Sequence, residues 1–197
     1  FMPKGLSKER TQMMKSFGAK INFVPKNRAD LAVKKARKIG QKKRYFFVDQ
    51  FSNPWNIEEH QKNMSKEIMK KLKKVDAVVA GIGTGGTIIG LAKGLKKKNK
   101  LKVYGVEPSE CALIYNKMHN KKTKCKNHKI EGIADGFIPD IISKNIDLID
   151  DIVKIKSNDA IKEAKRIDKK HGCFVGISSG ANLLAAKKAK KKLKTVV

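Results

Sequence analysis

Short apolar runs alternate along the chain with longer stretches in which apolar residues return every three or four positions. The first pattern predicts buried strands and the second predicts amphipathic helices. The clearest pair lies between Val75 and Leu95. Val75 to Ala80 predicts a strand and Gly81 to Thr87 a tight turn, while Ile88, Leu91, Ala92 and Leu95, at i, i+3, i+4 and i+7, predict a helix. Further strands are predicted around Ile21 to Val24, Tyr45 to Val48, Leu101 to Val106, Ile152 to Ile155 and Phe174 to Ile177. One helix is predicted from a Ser7 cap to Phe17, with Met13, Met14 and Phe17 as its apolar contacts and Gly18 as its stop. A second carries Leu31, Ala32, Ala36 and Ile39 to Gly40, and a third runs from Glu58 to Leu72. A fourth runs from a Ser157 cap through Ile161, Ala164 and Ile167 to Gly172. The last follows a turn at Ser178, Ser179 and Gly180 and carries Leu183, Leu184 and Ala186. This alternation predicts an α/β fold, a mostly parallel twisted sheet with flanking helices. Only Cys111 to Lys129 breaks it, with a polar, lysine-rich stretch. Thr195 to Val197 reads as the opening of another strand, and Phe1 precedes Met2. Both ends therefore read as those of a piece cut from a longer protein.

Composition changes this picture little. A chain of 197 residues, 40% hydrophobic, can bury a real core. No apolar run reaches membrane-spanning length, and FMPKGLSKER has none of the character of a signal peptide. The formal charge of +28 raises nucleic acid as a partner, but the excess is nearly all lysine. Arginine occurs only at Arg10, Arg28, Arg37, Arg44 and Arg166. Nucleic-acid readers use arginine forks and stacking aromatics, whereas these lysines are strewn over every helix. The reading is solvated faces with weak polyanion binding at low salt and no specific nucleic acid. The runs Lys96 to Lys102 and Lys187 to Lys194 are read as solvated helix ends. Cys111, Cys125 and Cys173 form no CxxC pair, and His60, His119, His128 and His171 have no metal-ligand spacing. Free thiols in a cytoplasmic protein, with no metal, are the expectation.

The turn after the first strand carries the chemistry. Glycines let backbone approach a ligand, and the first turn of a helix offers unpaired N–H groups and positive dipole, so Gly81 to Thr87 predicts an anion site. Gly81-Ile82-Gly83-Thr84-Gly85-Gly86 also satisfies GxGxxG, and Glu107 ends the next strand where a dinucleotide-binding fold places its ribose-binding acid. That leaves a dinucleotide-dependent oxidoreductase open. Thr84 and Thr87, however, add hydroxyl donors that suit a terminal phosphate dianion better than the interior of a pyrophosphate.

Five motifs occur in one order: QFSNPWN from Gln50, GIGTGGTIIG from Gly81, GVEP from Gly105, HKIEGIADGFIP from His128 and GISSGAN from Gly176. With the opening MPKGLSKERTQMMKSFGAK, this series resembles the cysteine synthase (O-acetylserine sulfhydrylase) family of fold type II, tryptophan synthase β-like, pyridoxal-phosphate enzymes. The resemblance covers essentially the whole chain. It implies that Gly83, Thr84, Gly85, Gly86 and Thr87 cradle the phosphate of pyridoxal 5'-phosphate and that Ser178 bonds the pyridine nitrogen. A neutral hydroxyl at that nitrogen suits elimination with an early-departing leaving group. It further implies that Gln50 helps to hold the substrate carboxylate and that Gly132 belongs to the loop closing over the substrate. Plain structural roles stand beside these: a helix cap for Ser178 (or Ser179), a polar strand end for Gln50 and a turn glycine for Gly132. Asp49 departs from the family's Gln-Gln, and Ala134-Asp135 from its Gly-Ala. Under this resemblance Glu107 is merely the end of a strand.

The same resemblance places residues 1–47 in a smaller mobile domain and 48–197 in a larger domain holding the phosphate. It implies β-replacement of O-acetylserine with sulfide, giving cysteine and acetate, a homodimer, and docking of the serine acetyltransferase C-terminal tail. Sister enzymes of the cystathionine β-synthase or phosphoserine sulfhydrylase type are the alternative. No lysine of the chain stands in the family's serine–valine–lysine–aspartate context, so no catalytic residue is assigned and the Schiff-base lysine is expected to be absent. The Thr-Ser-Gly-Asn-Thr substrate loop and the PSSGERYL segment have no match either.

Overall fold

The computed structural model describes residues 1–26, 28–96, 100–189 and 193–197, so Lys98 and the middles of both lysine runs lie outside the described residues. The chain divides into two compact units, Phe1–Asp49 with Asp135–Phe137, and Gln50–Ala134 with Ile138–Val197.

In the first unit, β1 (Met2–Pro3) is followed by α1 (Lys8–Ser16), β2 (Phe23–Val24) and α2 (Ala29–Gly40), and β1 pairs with β2 in parallel. Gly18 takes φ +79° and donates its amide to the Lys15 carbonyl, ending α1 where glycine predicts. The apolar contacts expected of α1 are not made: the helix buries no residue, and Met13 and Phe17 are exposed. Tyr45 to Val48 is also not the expected buried strand, since Tyr45, Phe46 and Val48 are all exposed. Left-handed residues, Arg44 at φ +74° and Asp49 at φ +46°, turn the backbone at either end of that run. Between these two turns residues 45–48 form no strand.

The second unit begins with α3 (Pro54–Glu59), which continues through a π-helical turn, His60–Met64, into α4 (Ser65–Lys71). Then come β3 (Ala77–Gly81), α5 (Gly86–Leu95), β4 (Lys102–Pro108), α6 (Leu113–Met118) and α7 (Asp140–Ser143). A 3-10 turn at Ile146–Leu148 leads into β5 (Asp151–Ile155), α8 (Ser157–His171) and α9 (Ile177–Ala189). The sheet is parallel in the order β3-β4-β5, with Ala77 opposite Lys102 and Tyr104 opposite Asp151. Val196 forms a further parallel bridge to Ala77, so the run from Thr195 does return to the sheet.

Side chains alternate across the strands, and each sheet face packs its own helices. Val78, Ile82 and Val103 pack with Ile88, Ile89, Leu91, Ala92 and Leu95 of α5. On the opposite face, Val79, Val106 and Ile155 meet Ala160 of α8 and Ala181 and Ala185 of α9. Each large aliphatic residue buried here contributes about 1.5–3 kcal/mol. Gly86, Gly90 and Gly94, one helical turn apart, form a stripe on α5 against which α3 and α4 lie. A Cβ at Gly90 would come 2.6 Å from the Ile57 carbonyl and 2.5 Å from the His60 Cβ.

Three local expectations are corrected. Phe174 to Ile177 is not a strand; Phe174 is 94% exposed and α9 already begins at Ile177, so Ser178 to Gly180 is helix and not turn. Ser157 is not the cap of α8. Lys156 holds that position, while the Ser157 hydroxyl accepts from the Lys129 amide at 2.9 Å. Cys111 and Cys125 are not free thiols but form a disulfide, because the Lys126 amide donates to the Glu110 carbonyl at 2.8 Å and folds the polar stretch back. Cys173 is free and exposed. Among the described residues, no helix is long and apolar enough to cross a membrane.

Glu163 fastens α8 to α9. It accepts from Arg166 at 2.8 Å and from Lys187 at 2.6 Å, and these two cations hold its carboxyl down at about 2. A depressed carboxyl stabilises the fold above its unfolded value and loses that contribution as pH falls towards 2. Glu163→Gln is therefore expected to lower the urea midpoint at about pH 6, and the gap from the parent chain should begin to narrow below about pH 4.5 and close only as pH falls through about 2. A gap that is constant with pH would mean the pair contributes nothing electrostatic.

Candidate functional site

The turn between β3 and α5 sits at the carboxyl edge of the parallel sheet, where α/β folds place ligands. Gly85 precedes α5 at φ +89°, a conformation glycine adopts without strain, and a Cβ there would collide with Ile142 at 2.5 Å. The first amide of α5, that of Gly86, donates to the Thr84 hydroxyl at 3.3 Å, and the amides immediately after it have no main-chain acceptor one turn back at the positive end of the helix dipole. A pocket of about 250 Å³ opens at this point, lined by Gly81, Gly83, Thr84, Gly85, Thr87, Ile88 and Gly132. Its wall carries hydroxyl groups and backbone but no ionisable side chain.

Gly132 reaches the pocket because residues 130–134 fold back across β3. The Ala134 amide donates to the Ile82 carbonyl at 2.9 Å, and the Gly132 carbonyl lies where a Cβ on Gly83 would stand 2.5 Å away. His128 braces the segment, with its Nε2 3.1 Å from the Ala134 carbonyl and its Nδ1 accepting from the Ile130 amide. Gly132 and Ala134 both take left-handed φ, +88° and +54°. Ala134 thus holds a conformation that glycine adopts more readily.

The other sequence-predicted residues are placed as follows. Gly83, Thr84, Gly85 and Thr87 come together with Gly132 at the pocket wall. Gly86 lies behind them, its amide 3.3 Å from the Thr84 hydroxyl and its Cα against the Asn56 side chain. Gln50 is exposed, and its carbonyl accepts from Asn56 at 2.9 Å. Ser178 is in the first turn of α9, one turn before Asn182, whose Oδ1 would stand 3.2 Å from a Cβ on Gly81. The chain returns from α9 to pair with the start of β3, so α9 runs antiparallel to the strand. Its first turn lies at the same carboxyl edge as the glycine loop, although α5 and α9 cover opposite faces.

Two neighbours of the loop escaped sequence reasoning. Asn56 donates to the Thr84 hydroxyl at 3.0 Å, and the Nε2 of His60 lies 3.1 Å from the Thr87 hydroxyl. The two are four residues apart on one helix face, polar residues pointing at a glycine stripe. That spacing was the available signal.

Glu107 does not serve a ribose. It is 1% exposed, and its two oxygens accept from the amides of Ile114 and Tyr115 at 3.0 and 2.9 Å, capping α6. Burial pushes its carboxyl up, against the pull of those amides. With both oxygens committed inside the fold, the dinucleotide reading loses its acid. A larger groove, about 580 Å³, lies along α4 and α5 between Lys62, Lys66, Lys70 and Lys93 over Met69. It is lined by mid-helix side chains and lacks the amides of the glycine loop.

A parallel α/β core with a glycine–threonine loop at its carboxyl edge is an arrangement in which α/β enzymes receive anionic ligands, and comparison with known proteins gives the family. Residues 1–196 match the family described as "Pyridoxal-phosphate dependent enzyme", and the chain belongs to that family. Within it the likeness is to cysteine synthases. Cysteine synthase of Buchnera aphidicola subsp. Schizaphis graminum is 44% identical over 200 residues, covering 96% of this chain and 61% of that protein. The O-acetylserine sulfhydrylase structure from Entamoeba histolytica aligns with a TM-score of 0.83 at 38% identity, covering 99% of this chain and 58% of the other. A hydrogen sulfide-producing enzyme of Fusobacterium nucleatum gives 0.88 at 33% identity, covering 100% and 60%. The chain thus spans about three fifths of the length of the curated relatives it matches. It is a fold type II enzyme sequence whose family cofactor is pyridoxal phosphate.

Proposed function

We propose that the protein to which these residues belong is a cysteine synthase, exchanging the acetate of O-acetylserine for sulfide to give cysteine. The observation that carries this is the pocket in which Gly83, Gly85 and the hydroxyls of Thr84 and Thr87 converge with Gly132. The donors fit a phosphate: neutral, preorganised and placed at a helix N-terminus. When bound, pyridoxal phosphate supplies an electron sink that lets a leaving group depart from the β-carbon of an amino acid.

In this reading each residue has a task. The loop from Gly83 to Thr87 holds the phosphate and fixes the cofactor's position along the sheet edge. Ser178, one helical turn from Asn182, offers its hydroxyl to the pyridine nitrogen without adding charge. Gln50 presents its side chain to the substrate carboxylate, and the segment around Gly132 excludes water from the reacting carbon. The unit of Phe1–Asp49 corresponds to the smaller mobile domain and the other unit to the cofactor-holding one. A homodimer, a cytoplasmic location and docking of a serine acetyltransferase tail complete the reading. A sister β-replacement activity, of the cystathionine β-synthase or phosphoserine sulfhydrylase type, would keep the same cofactor site and differ in the amino substrate or in the incoming sulfur compound. Likeness to the hydrogen sulfide-producing enzyme favours that second reading.

Thermal unfolding of the chain with pyridoxal phosphate and, separately, with NADH tests the cofactor class. Ligands of the native state raise the midpoint. Pyridoxal phosphate is expected to raise it and NADH to leave it unchanged; the reverse would overturn the assignment.

A further inference from the structure

We propose that Asn56 is a positioning residue that forces the Thr84 hydroxyl to act as a hydrogen-bond donor into the pocket, an inference that rests on the phosphate reading above. The side-chain amide of Asn56 is held on two sides. Its Nδ2 carries two hydrogens; one goes to the Gln50 carbonyl at 2.9 Å, the other to the Thr84 Oγ1 at 3.0 Å. A carbonyl cannot donate, so the nitrogen and not the oxygen must face Gln50, which fixes the orientation of the amide. The Asn56 oxygen is then turned towards Gly86, where a side chain would have no room.

The hydroxyl follows from this. Thr84 Oγ1 also accepts from the Gly86 amide at 3.3 Å. A hydroxyl has two acceptor positions and one hydrogen. Both acceptor positions are taken, by Asn56 from one side and Gly86 from the other, so only the hydrogen is left to offer. Thr84 lines the pocket, and what it presents there is a donor. A phosphate oxygen, which only accepts when ionised, matches it; a ligand hydroxyl or amine seeking an acceptor does not. Thr87 has no such constraint, because its contact with His60 can run in either direction according to the imidazole tautomer. The one amide of Asn56 also ties the backbone at Gln50 to the glycine loop.

The test compares five variants of the 197-residue chain: Thr84→Val, Thr84→Ser, Asn56→Ala, the isosteric Asn56→Asp and the double variant of Thr84→Val with Asn56→Ala. Binding of inorganic phosphate and of pyridoxal phosphate is followed by titration and by the 31P resonance, with pyridoxal as the phosphate-free control and near-UV circular dichroism as the check of folding. Thr84→Val and Asn56→Ala are each expected to weaken both phosphate ligands about tenfold and to displace the bound 31P resonance alike. Thr84→Ser should restore both readouts. In the Thr84→Val background, Asn56→Ala should add less than about twofold, because its effect runs through the hydroxyl. Asn56→Asp keeps the shape but can only accept from Thr84, so it should weaken phosphate more than Asn56→Ala does. Pyridoxal should not respond to any of them. If Thr84→Val weakens phosphate while Asn56→Ala and Asn56→Asp do not, or if the two effects add in full, the inference about Asn56 is wrong and the phosphate site stands. If Thr84→Val leaves both phosphate ligands unaffected, the phosphate reading and the inference fall together.

Discussion

The 197-residue chain, supplied with pyridoxal phosphate, O-acetylserine and sulfide, is expected to form no cysteine above the rate of the mixture without protein. The pocket wall consists of glycines, two threonines and one isoleucine. It offers phosphate donors but neither an amine to anchor an aldehyde nor a base to take the substrate α-proton, and general base catalysis requires a group within hydrogen-bond reach of that proton. The chain has 46 lysines and arginines, yet number does not replace position. Adding in trans, or by fusion, a segment that carries the family's serine–valine–lysine–aspartate context is expected to restore at least the coloured adduct with pyridoxal phosphate. Amino-acid analysis of the reaction decides it: sulfide-dependent cysteine from the purified chain alone would refute this account of where the catalytic lysine lies.

The second large effect concerns the two threonines. Thr84→Ala and Thr87→Ala, placed in a catalytically complete enzyme, should each weaken pyridoxal phosphate by about 1.5–3 kcal/mol, roughly ten- to hundredfold, since each removes a hydrogen bond to a charged acceptor. Lys66→Ala, on an exposed face of α4, should change the affinity by less than about twofold, as solvated charges are screened. Fluorescence titration of the apoenzyme measures all three. Equal losses at the three positions would mean that the cofactor is held by diffuse positive charge and not by a built site.

The contrast between these residues shows what the amino-acid pattern revealed. From β3 through the glycine turn to α5, period-2 and period-3.6 signals agree with the turn chemistry, and Ile88, Leu91, Ala92 and Leu95 are all buried as their spacing predicts. Where local and tertiary signals part, the reading failed. Tyr45 to Val48 has strand composition, but the left-handed turns at Arg44 and Asp49 are invisible in residue types that seldom adopt them. Met13 and Phe17 carry helical spacing on α1, yet α1 buries no residue. Cys111 and Cys125 are separated by 14 positions, and no spacing rule brings them together.

The site divides the same way. Gly83, Thr84, Gly85 and Thr87 share one pocket wall because they are nearly contiguous in the chain, whereas Asn56 and His60 reach that loop from a helix distant in sequence. Glu107 looked like a ribose ligand from its strand position alone. Only the path of the chain after Pro108 shows that its carboxyl caps α6.

The central claim is that the loop from Gly83 to Thr87 receives the phosphate of pyridoxal phosphate with the ring directed towards Ser178. A crystal structure of the chain with pyridoxal phosphate tests it most directly. The account predicts the phosphorus among the loop amides, with phosphate oxygens within hydrogen-bond distance of the Thr84 and Thr87 hydroxyls and the pyridine nitrogen facing the Ser178 hydroxyl. A phosphate seated instead in the groove between Lys62, Lys66 and Lys93, or a ring at the loop turned away from Ser178, would contradict it.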